Sequence, residues 1–194
     1  MKSIAIFCGA NFNGDPLLQD AVEQLTQVLT ERNIAIVFGG GKVGVMGLLA
    51  DHMINRGGKT IGVIPKFLLD KEVGHTGLAE LHVVETMHQR KQLMNDLSEG
   101  IMMLPGGFGT LEEFFEVLTW LQLGLHNKPI AILNINGFYD HLLQQMDVMV
   151  DQQFLKAANR KLVITSADPT QLISLMENFN AKPDEVWFRD RNLT

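Results

Sequence analysis

The chain has 194 residues, 46% of them apolar, and a formal net charge of −6 at pH 7. That is the size of one domain with a substantial buried core. Its basic residues are dispersed along the chain, which excludes a patch suited to a nucleic-acid backbone or an anionic membrane surface.

The opening run Met1-Lys2-Ser3-Ile4-Ala5-Ile6-Phe7 stops at Gly9-Ala10-Asn11. It is too short for the apolar centre of a signal peptide, and no run approaches the length of a membrane span. Cys8 is the one cysteine, so no intrachain disulfide can form and a reducing, cytoplasmic setting is expected. The six histidines have no HExxH or paired-ligand spacing, and no metal site is expected.

Short β-rich runs alternate with longer amphipathic ones. In chain order the pattern predicts a strand over Ser3–Cys8, a helix over Pro16–Arg32, a strand over Ile34–Phe38, a helix over Val45–Arg56, and strands over Thr60–Ile64 and Leu81–Val84. A helix over Met87–Ser98, a strand over Ile101–Leu104, a helix over Leu111–Leu123 and a strand over Ile130–Leu133 follow. The last elements are a helix over Phe138–Asp151, a strand over Leu162–Thr165 and a helix over Pro169–Asn178. Brief apolar runs fit parallel strands covered on both faces. Asp15-Pro16 and Asp168-Pro169 fit helix starts. This alternation predicts an α/β fold, a doubly wound and mostly parallel sheet with helices on both faces, in a single domain over residues 1–194. The tail beyond Lys182-Pro183 is expected to pack on the outside or on a second subunit.

Ligands of such sheets bind beyond the carboxyl ends of the strands. Two glycine-rich loops stand there. The first runs Gly39-Gly40-Gly41-Lys42-Val43-Gly44-Val45-Met46-Gly47, with five glycines in nine residues and a formal G-x-G-x-x-G at Gly39, Gly41 and Gly44. Glycine lets backbone amides approach an anion, and a helix start adds partial positive charge. Gly41, Gly44 and Met46 are therefore candidate substrate contacts. A nicotinamide dinucleotide would call for a carboxylate at the end of the next strand. That strand ends Gly62-Val63-Ile64-Pro65-Lys66, which argues against a dinucleotide. The second loop is Leu104-Pro105-Gly106-Gly107-Phe108-Gly109-Thr110-Leu111-Glu112-Glu113. With Thr110 as helix cap, the amides of Gly107 to Thr110 converge on one anion, and a phosphate fits them.

The helix after this loop carries an apolar stripe of Leu111, Phe114, Phe115, Leu118 and Leu121, with Glu113, Glu116 and Thr119 or Trp120 beside it. Thr110-Leu111-Glu112-Glu113 has the pattern of a capping box, so Glu113 is either a cap or a catalytic carboxylate. Glu116 lies a turn too far along to be a cap. On the helix over Met87–Ser98, Arg90 shares an apolar face with Met87, Met94 and Leu97. A desolvated guanidinium needs an anion, either a salt bridge to Glu113 or Glu116, or a ligand. The start of this helix just after a strand end favours a ligand, and Lys91 on the neighbouring side can serve the same anion. Phosphate-type loops, an arginine and carboxylates together suit chemistry at a sugar carrying a 5′-phosphate. A carboxylate stabilises the oxocarbenium-like transition state of N-glycoside cleavage and activates water.

Three stretches taken together, Gly39–Gly47 (GGGKVGVMG), Glu85–Lys91 (ETMHQRK) and Pro105–Glu113 (PGGFGTLEE), resemble the Lonely Guy family of cytokinin riboside 5′-monophosphate phosphoribohydrolases. The likeness runs from Phe7-Cys8-Gly9 to about Leu155. It implies a Rossmann-like subunit, a homodimer with active sites near its interface, and hydrolysis of AMP or an N6-modified AMP to free base and ribose 5-phosphate. It implies no metal or organic cofactor. Arg90 and Glu113 match the family's catalytic pair. Glu72, Lys91, Gly107, Phe108, Gly109, Thr110, Leu111, Glu112 and Thr119 match its nucleotide contacts, and Glu116 a further acidic position. Ala10-Asn11 departs from the paired serines common in the family. A lysine decarboxylase would need a buried Schiff-base lysine and a partner for the pyridine nitrogen, and no lysine here has that context. The remaining alternative is a non-catalytic nucleotide or pterin-cofactor carrier. Cys8 reads as core, and His88 as structural or exposed.

Overall fold

The structure is a computed structural model that describes residues 1–72 and 74–180, with the side chains of Asp70 and Glu72 outside the description. The tail beyond Lys182-Pro183 thus lies outside the described residues. The strands are β1 (Ser3–Phe7), β2 (Ala35–Phe38), β3 (Thr60–Pro65), β4 (Glu80–Val84), β5 (Gly100–Met103), β6 (Ile130–Leu133) and β7 (Val163–Ser166). The helices are α1 (Pro16–Glu31), α2 (Gly44–Asn55), α3 (Lys66–Glu72), α4 (Met87–Asp96), α5 (Phe108–Leu123), α6 (Asp140–Asp151), α7 (Ala157–Arg160) and α8 (Pro169–Glu177). Each expected element is present within a few residues. The short α3 and α7 are additions, since neither is long enough to show an apolar period.

One seven-stranded sheet has the order β4-β3-β2-β1-β5-β6-β7, with every pair parallel. This is the doubly wound α/β architecture. Leu18, Leu25 and Leu29 of α1, Leu49 and Met53 of α2, and Leu172 of α8 cover one face of the sheet. Met94 of α4, Phe114, Val117 and Leu121 of α5, and Met146 of α6 cover the other. The central strands β1, β2, β5 and β6 are apolar and almost wholly buried. Edge strand β4 is largely open, and Glu80 and His82 on it discourage pairing with another chain.

The chain winds outward from β1 to β4, crosses back through α4, and resumes at β5 on the other side of β1. The strand order therefore reverses between β1 and β5. A crevice opens at such a reversal, beyond the carboxyl ends. Here it is flanked by Cys8-Gly9 and by Leu104 to Gly107, tied together by the Gly9 N–H donating to Pro105 O at 3.1 Å. No helix among the described residues is long and apolar enough to cross a membrane.

Candidate active site

The crevice is a cleft of ≈ 600 Å³, within the range that holds small-molecule ligands. Gly9 to Asn13, Gly39, Met46, Arg90, Gly106, Gly107, Gly109, Thr110 and Glu113 are among its walls. It thus gathers residues from the ends of β1, β2 and β5 with the starts of α2, α4 and α5.

Helix α5 starts a turn earlier than the sequence pattern suggests. Its cap is Gly107, which makes no side-chain cap hydrogen bond. Thr110 is the third helical residue and is buried, so it is no cap, and the capping-box reading of Thr110 to Glu113 is overturned. The glycines let the helix begin before any capping side chain. The first amides of α5 thus have neither an intrahelical partner nor a side-chain cap, and side chains added at Gly107 or Gly109 would meet nothing within 4 Å. Gly106 differs: a Cβ there would overlap Thr110 Oγ1 and stand 2.9 Å from Gly9 N. This start has the geometry of an anion site.

Glu113, in the second turn of α5, enters the cleft at the level of Arg90. Arg90 is buried, its side chain 9% exposed. Its Nε donates to Val63 O at 3.1 Å and its Nη2 to Gly39 O at 3.2 Å. The third nitrogen, Nη1, lies 3.8 Å from Glu113 Oε1, an ion pair longer than a hydrogen bond. Two strand-end carbonyls thus fix the arginine and leave one edge facing the carboxylate. The structural reading of Arg90 is met by its own carbonyl and carboxylate partners, with Nη1 turned toward the cleft carboxylate. Burial pushes the Glu113 carboxyl up to about 6, with the Arg90 charge pulling the other way. Cys8 at the end of β1 is buried, and burial, with the Glu113 charge beside it, raises its thiol far above the usual range. It is core, without a thiolate's reactivity.

The first glycine loop serves the site through packing. A Cβ at Gly39 would overlap Arg90 Nη2 and come within 2.9 Å of Met46 Sδ. Gly44 has φ +62° and packs on the backbone of Ala10 and Asn11. Gly41 bridges to Gly74. Of the three candidate contacts here, Met46 lines the cleft while Gly41 and Gly44 do not. Gly39, which the motif contains without singling it out, is the residue that lets the arginine sit. Gly39→Ala is expected to keep the fold and push the Arg90 guanidinium aside, a shift that costs about 100-fold in rate where the displaced group acts on a substrate. Steady-state kinetics beside a thermal melt check this.

A second ion cluster lies outside the cleft. Lys91 Nζ is 2.6 Å from Glu112 Oε1 and 3.0 Å from Glu116 Oε2. Burial lowers the Lys91 pKa, but the two glutamates together raise it further. Phe108 is almost fully exposed. Thr119 turns its hydroxyl back to Phe115 O at 2.7 Å, and Leu111 is half-buried. Glu72 ends α3, one turn after Leu68, a cleft residue. The inward face of α5 is Thr110, Phe114, Val117 and Leu121. The expected stripe is therefore rotated, and Leu111, Phe115 and Leu118 stay partly open. In the β6–α6 turn, Asn136, at φ 50°, and Phe138 also line the cleft; Asn136 follows a strand end, as ligand-facing residues should, but neither was among the candidate contacts.

A family model described as "Possible lysine decarboxylase" matches residues 46–176. Over 184 residues the chain is 41% identical to cytokinin riboside 5′-monophosphate phosphoribohydrolase LOG2 of Arabidopsis thaliana, covering 95% of this chain and 86% of that one. LOG7 of the same plant is 40% identical over 185 residues, covering 95% and 85%. The chain belongs to the Lonely Guy family. Among solved structures, a molybdenum cofactor binding protein from Rippkaea orientalis superposes with a TM-score of 0.66 at 20% identity, covering 91% of this chain and 95% of that one. That likeness extends to the fold alone. The decarboxylase description of the matching family model does not fit the cleft. Among the described residues no lysine stands on its walls, so it offers no amine for a pyridoxal Schiff base.

Proposed function

We propose that the protein hydrolyses the N-glycosidic bond of an adenosine 5′-monophosphate, plain or N6-modified, to free base and ribose 5-phosphate. The observation that carries this reading is that the uncapped α5 start, Arg90 and Glu113 share one cleft. The phosphate binds the amides of Gly107 to Thr110, which places the ribose over the Arg90–Glu113 pair. As the C1′–N bond breaks, positive charge grows on the sugar and negative charge on the base. The Glu113 carboxylate stabilises the first and takes a proton from the attacking water. Arg90 Nη1 holds Glu113 in its ionised form and polarises the departing base. The water oxygen ends on C1′, the proton taken up by Glu113 passes to the departing base nitrogen, and the base leaves neutral with Glu113 again ionised.

The test is to incubate the protein with AMP and isopentenyl-AMP and separate the products chromatographically. Free base from either is the expected result. Tight binding with no base from any purine monophosphate would instead favour a carrier.

We infer as well that the active form is a homodimer paired across α4 and α5. Leu111, Phe115 and Leu118 are half-open on that face, beside a groove of ≈ 700 Å³ walled by Val83, Leu93, Glu116 and Trp120. Lys91, Phe108, Leu111, Glu112, Glu116 and Thr119 lie outside the cleft of one chain. As nucleotide contacts, they would act where a second subunit meets the first. Light scattering is expected to give twice the chain mass of 21.6 kDa, and a stable monomer would contradict it.

A further inference from the structure

Four helix starts open on the cleft, and the chain treats them differently. At α4 the start is closed by the neutral Thr86–Gln89 capping box. At α5 the start is uncapped. At α2 the Val45 N–H donates to Gly9 O at 3.0 Å, so part of that start is taken by the chain's own carbonyl. At α1 the start is closed by a charge. Asp15 Oδ1 accepts from the Leu17 N–H at 3.0 Å, and the Asp15 N–H donates to Asn13 Oδ1 at 3.0 Å. The carboxylate is thereby fixed on the cleft wall.

Charge on the walls is sparse. Among the described residues the charged side chains lining the cleft are Asp15, Arg90 and Glu113. Arg90 is committed to Gly39 O, Val63 O and Glu113. The cleft-lining residues next to Asp15 in the chain, Asn11, Phe12, Asn13 and Leu18, are neutral and offer no cation. A phosphate at α5 uses the free start. A second phosphate in the cleft would find no uncommitted cation and would share the cleft with the Asp15 carboxylate.

We propose that Asp15 is a specificity-determining residue that restricts the cleft to ligands ending in one phosphate. The inference rests on the reading of the α5 start as the phosphate site. Asp15 touches no reacting atom. It acts by adding the protein's own negative charge to the cleft that a diphosphate would have to share.

The test compares wild type, Asp15→Asn and Asp15→Ser by titration calorimetry with AMP and with ADP, without divalent metal. Asparagine and serine both cap helices well, so α1 and the fold are kept, and a thermal melt verifies it. Wild type should bind ADP much more weakly than AMP. Both variants should narrow that ratio about tenfold, chiefly by tightening ADP, as removing one unit-charge repulsion across a partly solvated cleft would do. The gain should shrink at high salt. A ratio unchanged in both folded variants overturns the role of Asp15, while AMP binding stands. A wild type that binds neither nucleotide overturns the phosphate site and this inference together. Equal binding of AMP and ADP by wild type overturns this inference alone.

Discussion

Glu113→Gln is expected to lower turnover of AMP about 10³-fold, the scale of a lost general base, while AMP still binds. The amide keeps the shape of the carboxyl but neither takes a proton from water nor offers a charge to the oxocarbenium-like centre. The loss should fall on kcat, with KM changed little. The same substitution should raise stability. In the fold, burial lifts this carboxyl to about 6 from its ordinary 4.5, so the folded state binds the proton more tightly than the unfolded chain. The stability this group contributes is complete below the unfolded value and is lost as pH rises through about 6. Above that pH the wild type carries a cost of about 2 kcal/mol that glutamine removes. Denaturant melts at pH 5 and pH 8 check the sign: the variant should gain on the wild type at pH 8 and not at pH 5. A variant less stable at pH 8 would mean that the pairing with Arg90 outweighs burial. Activity of the wild type should rise with pH through the same region, because the working form of Glu113 is ionised.

Arg90→Ala is expected to lower turnover by about 10³-fold as well, through the loss of charge stabilisation in a sheltered site, and also to cost stability. Two buried carbonyls, Gly39 O and Val63 O, lose their donor, and Glu113 loses its counter-charge. Together these amount to about 2–4 kcal/mol, which a core of this size survives. The remaining activity should need a higher pH than in the wild type, because without the guanidinium the buried carboxyl ionises later still. Arg90→Lys should not rescue turnover, since an ammonium cannot span Gly39 O, Val63 O and Glu113 in the planar fork the guanidinium uses. A melt showing folded protein, set beside a shifted acid limb in the pH–rate profile, separates this account from simple unfolding.

The sheet was legible in the sequence because its strands are short apolar runs between strongly periodic helices, and its winding follows from that alternation. Topology then places the crevice between β1 and β5, so Gly106, Gly107, Arg90 and Glu113 were findable from the residues that follow strands and from one cation in an apolar stripe. Other features were hidden for physical reasons. The true start of α5 depends on Gly107 serving as an extended cap with Phe108 and Gly109 already helical, and glycine gives no capping signal. The face of α5 was misjudged because two of its sides are apolar, one turned to the core through Phe114 and Val117 and one left partly open through Phe115 and Leu118. Gly39 resembled a phosphate-loop glycine, yet its lack of a side chain accommodates Arg90 from another helix, a contact 51 residues away. Asn136 and Phe138 follow a strand, but nothing in their spacing told of the turn that brings them to the cleft.

The central claim is that a phosphate held at the α5 start carries the glycosidic bond to Arg90 and Glu113. The comparison of kcat/KM for AMP against adenosine tests it most directly. The account predicts free base from AMP at least about 10³-fold more efficiently than from adenosine, because the anchoring energy is spent on positioning the sugar. Equal cleavage of the two, or cleavage of adenosine alone, would contradict it.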